Sequence, residues 1–190
     1  MTNPKLGWGV CGSFCTIAQC CTAMTALADQ WEIIPILSLN VQHTDTRFGS
    51  AAEVCGAIES TAGRPAIRTI TEAEPLGPKM PLDAMVIAPC TGNTLAKLAQ
   101  GITDTPVTMA AKAHLRSDRP LIIALASNDA LSANLWNLAV LLNRKNVYFV
   151  PLRQDDPVSK PHSLVCRPEL LEETLNAARE GKQLRPLFLT

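Results

Sequence analysis

Short runs of apolar, often β-branched residues alternate along the chain with longer segments in which apolar side chains recur at helical spacing. This alternation is typical of a parallel sheet that is covered by helices on both faces. The predicted strands are 5–10, 32–37, 66–70, 84–88, 121–126 and 146–150. The pattern therefore predicts a fold of the α/β class.

Helical segments lie between these strands, and some have clear start or stop signals. Asp104-Thr105-Pro106 places capping residues before a first-turn proline, which starts a helix, and Gly101 stops the helix before it. The predicted helices are 14–28, 50–60, 94–100, 106–115, 132–142 and 168–180. We expect a three-layer, Rossmann-like or flavodoxin-like doubly wound parallel sheet of about six strands.

Two connections are rich in proline. Residues 71–81 hold three prolines and a glycine and predict a crossing loop. Residues 151–163 hold three prolines and alternating charges, and a loop of this length often carries function. From the length of 190 residues we predict a single domain over 1–190, with a functional loop at 151–163 and a C-terminal helix and tail at 168–190.

Composition narrows the classes of partner. Charged residues make up 18% of the chain, below the roughly 25% that is typical of soluble domains, and this predicts subunit contacts and a homo-oligomer. The net charge of zero gives no field for nucleic acid or an anionic membrane, so any anion site must be local.

No apolar run reaches the 18 or so residues of a membrane helix, and glycines interrupt the N-terminal segment where a signal peptide would be continuous. We expect a soluble, cytoplasmic protein.

The seven cysteines are an odd number and contain no C-x-x-C spacing. This usage fits neither a disulfide framework nor a zinc site. We predict small apolar core residues in a reducing cytosol and no bound metal.

A glycine-containing turn, Gly9-Val10-Cys11-Gly12-Ser13, joins the first predicted strand to the first predicted helix. Glycines there let backbone N–H groups approach a phosphate at the positive end of the helix, and Ser13 adds a hydroxyl. The alternative is a tight turn without a ligand. Counted from Gly9, the turn does not match G-x-G-x-x-G, because Phe14 stands where the third glycine would be.

A second compact turn follows the strand at 84–88 and contains Thr91, Gly92 and Asn93 before a helix. Small polar side chains at the carboxyl end of a parallel strand could receive a flat polar ring or a phosphate. The alternative is that Thr91 or Asn93 only caps the helix.

Together the two turns resemble the family of flavin-containing cysteine decarboxylases and flavin prenyltransferases. Gly9 to Ser13 is similar to the family's G-x-x-G-S turn, Pro89 to Thr94 to its P-A-S-A-N-T box, and Ala99 to Asp104 to its A-x-G-I-A-D continuation. The resemblance implies bound FMN, with a phosphate site expected even without flavin. The residues that it implies for the cofactor are Gly9, Cys11, Gly12, Ser13, Phe14, Ser38, Pro89, Cys90, Thr91, Gly92, Asn93, Thr94 and Asn128.

The chain also departs from this family. Cys90, Thr91 and Gly92 stand where the box has Ala, Ser and Ala. The family's P-x-M-N segment is Leu125-Ala126-Ser127-Asn128, which keeps only the asparagine, and the surroundings of His43 do not match those of the family's active-site histidine. The resemblance therefore implies a fold and a ligand crevice more firmly than it implies decarboxylation.

A narrower resemblance runs through nearly the whole chain, in PCTGNTLAKLAQGITDTPVTMAAKAHLR, ASNDALSAN and LLNRKNVYFVPLRQDDPVSKPHSL. These segments are similar to the family of dipicolinate synthase B subunits. That family implies action with the A subunit of dipicolinate synthase, during sporulation, to form pyridine-2,6-dicarboxylate from a dihydrodipicolinate-type intermediate. It also implies that NAD(P) binds to the A subunit. The alternatives are a stand-alone FMN-binding decarboxylase or prenyltransferase, and a non-catalytic partner that stabilises the A subunit.

Charge is unevenly distributed, with a net +4 over residues 112–167 and −3 over the preceding 111 residues. A local positive potential suits a small dicarboxylate. In the loop 151–163, Asp155, Asp156, Lys160 and His162 are the predicted catalytic residues, for proton transfer and contact with substrate carboxylates. The alternatives are a loop ordered by its own ion pairs and an arm that clasps a neighbouring copy. His114, at helical spacing with alanines, is predicted to be a packed histidine.

Overall fold

The structure is a computed structural model and describes residues 3–189. Five parallel strands form its centre in the order β2-β1-β3-β4-β5, the flavodoxin-like order. Their bounds are Lys5–Val10 (β1), Glu32–Leu37 (β2), Ala84–Cys90 (β3), Leu121–Ser127 (β4) and Val147–Phe149 (β5). The predicted doubly wound architecture is confirmed, and the first two strands have the predicted bounds.

Two short antiparallel strands extend the sheet beyond the prediction. β7 (Leu164–Cys166) pairs with the end of β4, Ala126 opposite Val165, and β6 (Leu152–Arg153) pairs with β7. The seven-stranded sheet is therefore mixed rather than wholly parallel. The predicted loop 151–163 begins inside this β6–β7 hairpin and forms its connection.

Helices cover both faces of the sheet. α1 packs with α3 and α8 on one face, and α6 packs with α4 and α5 on the other. The bounds are Phe14–Leu27 (α1), Leu39–His43 (α2), Ala51–Ala62 (α3), Ile70–Ala73 (α4), Gly92–Gln100 (α5), Pro106–Leu115 (α6), Leu135–Leu142 (α7) and Leu171–Arg179 (α8), with a 3-10 turn at Pro168–Leu170.

Local hydrogen bonds explain several of these boundaries. Ser50 and Glu53 form a capping box at the start of α3, and Thr105 forms one with Thr108 at the start of α6. Gly101 adopts a left-handed conformation, φ 72°, and ends α5 where the sequence predicts its end.

The predicted strand 66–70 is wrong. Ile67 makes a single parallel bridge with Ile36 at the outer edge of β2, and the chain then leaves the sheet. Thr69 and Glu72 form a capping box that starts α4, so their hydrogen bonds favour a helical turn over a ladder. The predicted crossing loop 71–81 accordingly begins inside a helix.

The core lies on both sides of β3, all seven of whose residues are buried. Trp8 of β1 is fully buried, and its indole N–H donates to the Ala88 carbonyl at 3.1 Å. Five of the seven cysteines are buried and unbridged, as the core interpretation predicts: Cys11, Cys20, Cys55, Cys90 and Cys166. That interpretation is wrong for Cys15, which is exposed, and Cys21 is only half-buried. Across residues 3–189 no helix combines the length and apolar character needed to cross a bilayer.

Candidate functional site

The turn after β1 leaves the start of α1 without a side-chain cap. Ser13 occupies the N-cap position, but its hydroxyl makes no capping bond and accepts instead from Thr16 Oγ1 at 2.9 Å. The first N–H groups of a helix have no partner within the helix. This end of α1 therefore keeps donors available for a ligand.

Ser38 lies beside this turn at the carboxyl end of β2. Its backbone N–H donates to the Val10 carbonyl at 3.0 Å, whereas its buried Oγ has no partner among the described residues. At Gly12 a Cβ would lie 3.2 Å from Asn40 Cβ, so the position is tight for a side chain. We call Gly12, Ser13 and Ser38 the first-turn cradle.

The second turn contacts the first directly. Thr94 Oγ1 donates to the Cys11 thiol at 3.3 Å, and Cys11 N–H donates to the Pro89 carbonyl at 3.1 Å. Burial raises the pKa of Cys11 to about 11, although hydrogen bonds with Thr94 and Thr91 lower it in part. This thiol is therefore protonated, and it packs in the core. Thr91 caps α5 by accepting from Thr94 N–H at 3.3 Å, and the Asn93 side chain is exposed.

A cluster of hydrogen-bonded polar side chains packs against the second turn, and the sequence does not predict this cluster. Asp129 accepts hydrogen bonds from the Ser127 hydroxyl and from Asn134 Nδ2, the latter at 2.9 Å. The hydrogen bond from Ser127, and to a smaller extent that from Asn134, lowers the pKa of the Asp129 carboxyl. We call Ser127, Asp129 and Asn134 the Asp129 cluster.

Gly92 is the position that accommodates the Asp129 cluster. A Cβ at Gly92 would lie 2.5 Å from Ser127 Oγ and 2.7 Å from Asn134 Nδ2, closer than side chains tolerate. Gly92 and Ser127 are both departures from the decarboxylase motifs, and here they touch. The run Ser127-Asn128-Asp129 at the end of β4 indicates a polar site in the sequence, but no local pattern predicts that it contacts Gly92.

A groove of about 1010 Å³ lies between α1 and the β6–β7 hairpin. Four of the predicted site residues line it: Ser13, Asn128, Asp155 and Lys160. They come from the ends of β1 and β4 and from the hairpin connection. The groove walls also include three arginines: Arg153 and Arg167 belong to the positively charged segment 112–167, whereas the sequence did not single out Arg47.

The predicted catalytic residues of the loop 151–163 fall into two groups. Lys160 Nζ pairs with Asp155 Oδ2 at 2.6 Å in the groove, and this hydrogen bond raises the pKa of Lys160. Asp156 instead accepts from the N–H groups of Val158 and Ser159 and from the Ser159 hydroxyl, which lowers its pKa. His162 is exposed and, like Asp156, is not among the groove-lining residues.

Other predicted cofactor residues lie behind the turns. Gly9 is buried, and a Cβ there would come within 2.9 Å of the Val107 side chain, so this glycine serves packing. Pro89 and Cys90 are buried in β3, and burial raises the pKa of Cys90. Phe14 is partly buried against the core.

The family model described as Flavoprotein matches residues 1–183. The chain belongs to the Flavoprotein family. It is 45% identical over 190 residues to the B subunit of dipicolinate synthase from Bacillus subtilis (strain 168), a match that covers 100% of this chain and 95% of that protein. Both resemblances that the sequence motifs indicate, the broad one and the narrow one, are thereby confirmed.

Solved structures agree with this membership. The crystal structure of the dipicolinate synthase B subunit from Bacillus halodurans has a TM-score of 0.90 and 41% identity, covering 100% of this chain and 99% of that one. The FMN-dependent cysteine decarboxylase SpaF has a TM-score of 0.66 at 21% identity, covering 94% and 97% of the two chains, and so shares the fold.

Within residues 3–189 there is no group of three His, Cys, Asp or Glu side chains that could hold an ion. His43 lines a separate cavity of about 530 Å³ with Asp45 and Cys55. His114 is fully buried with Nε2 2.9 Å from the Pro120 carbonyl oxygen, as a packed histidine, and burial lowers its pKa.

Proposed function

We propose that this chain acts as the B subunit of a dipicolinate synthase and, with the A subunit, forms pyridine-2,6-dicarboxylate from a dihydrodipicolinate-type intermediate during sporulation. The observation that carries the proposal is the 45% identity to a dipicolinate synthase B subunit through the whole chain. Aromatising the dihydro ring removes a hydride and a proton. Gly7, Gly9 and Gly12 have G-x-G-x-x-G spacing, but Gly7 and Gly9 lie inside β1 and do not form a glycine-rich dinucleotide turn, so we assign the nicotinamide that accepts the hydride to the A subunit.

The first-turn cradle fits the phosphate of FMN. Its support is the buried, unpartnered Ser38 Oγ beside Gly12 and the uncapped start of α1, which together offer donors to an anion. When bound, FMN would supply a two-electron acceptor. Ser13 and Ser38 would hold the phosphate, and Thr91 and Asn93 would lie on the neighbouring turn.

Of the four predicted catalytic residues, we assign the chemistry to Asp155 and Lys160, which pair in the groove. Asp155 would accept the proton that leaves the substrate ring, and Lys160, 2.6 Å away, would hold the Asp155 carboxylate in place. Asp156 orders the loop through its bonds to Val158 and Ser159. His162 stays outside this assignment because it does not line the groove.

The test is an assay of dihydrodipicolinate oxidation with each of the two proteins alone and with both together. We expect the mixture to form dipicolinate and this chain alone to form none. An equal rate from the A subunit without this chain would reduce this chain to a stabilising partner. A yellow, flavin-containing chain that decarboxylates or prenylates a substrate without the A subunit would support the stand-alone alternative and contradict the proposal.

We also propose a homo-oligomer. Neither α1 nor α7 contains a charged residue, and on α7 Trp136 is 74% exposed and Leu135 is 49% exposed. Large exposed apolar side chains on an uncharged helix are typical of interaction surfaces. Light scattering should give a multiple of 20.4 kDa, and a monomer mass at micromolar concentration would contradict this.

A further inference from the structure

The cations that line the groove are not equivalent. Lys160 pairs with Asp155, and Arg167 pairs with Glu169. Arg47 and Arg153 line the same groove and, in the part of the chain that the structure describes, neither forms an ion pair. The two free guanidinium groups are therefore the ones available to an anionic ligand without loss of an existing pair.

Both free arginines sit on ordered backbone. Arg47 lies in a turn closed by reciprocal backbone bonds between Thr46 and Gly49, at 3.0 and 3.1 Å, and its guanidinium stands 4.9 Å from the centre of the Phe48 ring. Arg153 belongs to β6 and pairs in register with Val165. An ordered backbone lowers the entropy cost of placing these side chains on a ligand.

The two arginines also belong to different parts of the fold. Arg47 comes from the connection between α2 and α3, whereas Arg153 comes from the hairpin that follows the parallel sheet. Guanidinium groups bind carboxylates through paired, charge-assisted hydrogen bonds. Two such groups from separate elements of one groove suit a ligand with two separated carboxylates better than a ligand with one.

We propose that Arg47 and Arg153 are the specificity-determining residues of the groove, each binding one carboxylate of a pyridine-2,6-dicarboxylate or its dihydro precursor. This inference rests on the proposed function for the identity of the ligand. It differs from the sequence-based expectation, in which Lys160 or His162 meets the substrate carboxylates. Lys160 is already neutralised by Asp155, and His162 lies outside the groove.

The experiment compares two ligands on matched variants of the chain in complex with the A subunit. Binding of dipicolinate and of picolinate, which lacks the second carboxylate, is measured by calorimetry for wild type, Arg47→Gln, Arg153→Gln and the double variant. Arg116→Gln is the control, because Arg116 is exposed at the end of α6, beyond the groove, and forms no ion pair in the described chain. Circular dichroism checks that each variant is folded.

We expect the wild-type complex to bind dipicolinate more tightly than picolinate. Each single variant should lose about tenfold to a hundredfold in affinity for dipicolinate, which corresponds to one charge-assisted bond. Its affinity for picolinate should change by less than about threefold, since one arginine remains, and the double variant should lose both ligands. Dipicolinate affinities of folded single variants within a factor of two of wild type would overturn the inference.

The same complexes separate this inference from the proposed function. If wild type forms dipicolinate with the A subunit, and the variants keep its KM, the function stands and the arginine assignment fails. If wild type forms no dipicolinate but binds it in an arginine-dependent way, the binding site stands and the proposed reaction fails. A wild-type complex that neither binds nor forms dipicolinate contradicts both.

Discussion

The two turns at the carboxyl edge of the sheet differ in how their polar groups are hydrogen-bonded. After β3, Thr91 caps its helix, Thr94 bonds to Cys11, and the Asp129 cluster packs on Gly92. After β1 and β2, neither Ser13 nor Ser38 caps the helix that it precedes. The polar side chains of one turn bond to one another, whereas the other turn leaves the buried Ser38 hydroxyl without a partner among the described residues.

This difference bears on which of the two turns would bind a ligand under the proposed function. A buried hydroxyl without a partner costs free energy in the ligand-free protein, and a bound anion recovers that cost. Motif similarity alone treats both turns as cofactor-binding. Under the proposed function, we therefore expect the ligand to bind chiefly at the first-turn cradle, with the second turn supporting it.

The largest expected effect comes from disturbing the second turn. Gly92→Ala should lower the free energy of unfolding by about 1–3 kcal/mol, because the added methyl group would overlap the Asp129 cluster. Gly56→Ala is the matched control: it lies within α3 with open space around it, and it should be neutral or raise stability by up to about 1 kcal/mol. Urea unfolding measures both changes.

A second substitution tests the cause of that loss. Gly92→Ala combined with Ser127→Ala should recover part of the stability, since it removes the nearest clashing atom. If the single and double variants lose stability equally, the overlap with the hydroxyl is not the cause.

The next prediction compares Ser38 of the first turn with Thr91 of the second turn, in stability and in FMN affinity. Ser38→Ala should leave the stability of the flavin-free chain unchanged or slightly higher, because it removes an unpartnered buried hydroxyl, and should weaken FMN binding about tenfold. Thr91→Ala should cost about 1 kcal/mol, because it removes a helix cap. Urea unfolding and flavin-fluorescence titration measure the two quantities. A loss of stability in Ser38→Ala with unchanged FMN affinity would refute the cradle.

The smallest expected effect concerns the other unpartnered buried atom in the described chain, His114 Nδ1. Burial, with a smaller contribution from Arg119, keeps the pKa of His114 below its usual value, against a hydrogen bond to Pro120. The unfolded chain therefore binds the proton more readily. Stability should be fully present above about pH 6.5 and should fall as the pH drops below it.

His114→Gln, measured against wild type by urea unfolding from pH 7.5 to 5, should flatten that dependence. The carboxyl groups whose pKa values are lowered, such as Asp129 and Asp156, begin to lose their contributions at lower pH, near the usual value of about 3.9 for aspartate. An unchanged slope in the variant would show that another group dominates this window.

Much of the fold could be predicted because its signals are local. β1 and β2 are apolar runs, and the ends of α5 and the start of α6 carry glycine, threonine and proline at the expected positions. The strand prediction for 66–70 failed because the apolar character of this segment favours a strand, whereas the Thr69–Glu72 capping box favours a helix.

The candidate site was predictable only in part because its contacts are distant in sequence. The motifs direct attention to Ser13, Asn128, Asp155 and Lys160, which line one groove. No local pattern shows that Gly92 meets Ser127, or that the two-residue strand β6 carries Arg153 to the same groove as Arg47. Strands of two or three residues have no detectable periodicity.

The wall of the groove that carries Arg153 depends on residues far along the chain. Leu152 N–H donates to the Leu187 carbonyl at 2.7 Å, and Leu189 N–H donates to the Leu152 carbonyl at 2.8 Å, so this segment covers the free edge of β6. During synthesis the five parallel strands are complete once Phe149 has left the ribosome. The β6 wall of the groove gains its last strand partner only after Leu189 has emerged, so the parallel scaffold of a nascent chain precedes the completed groove.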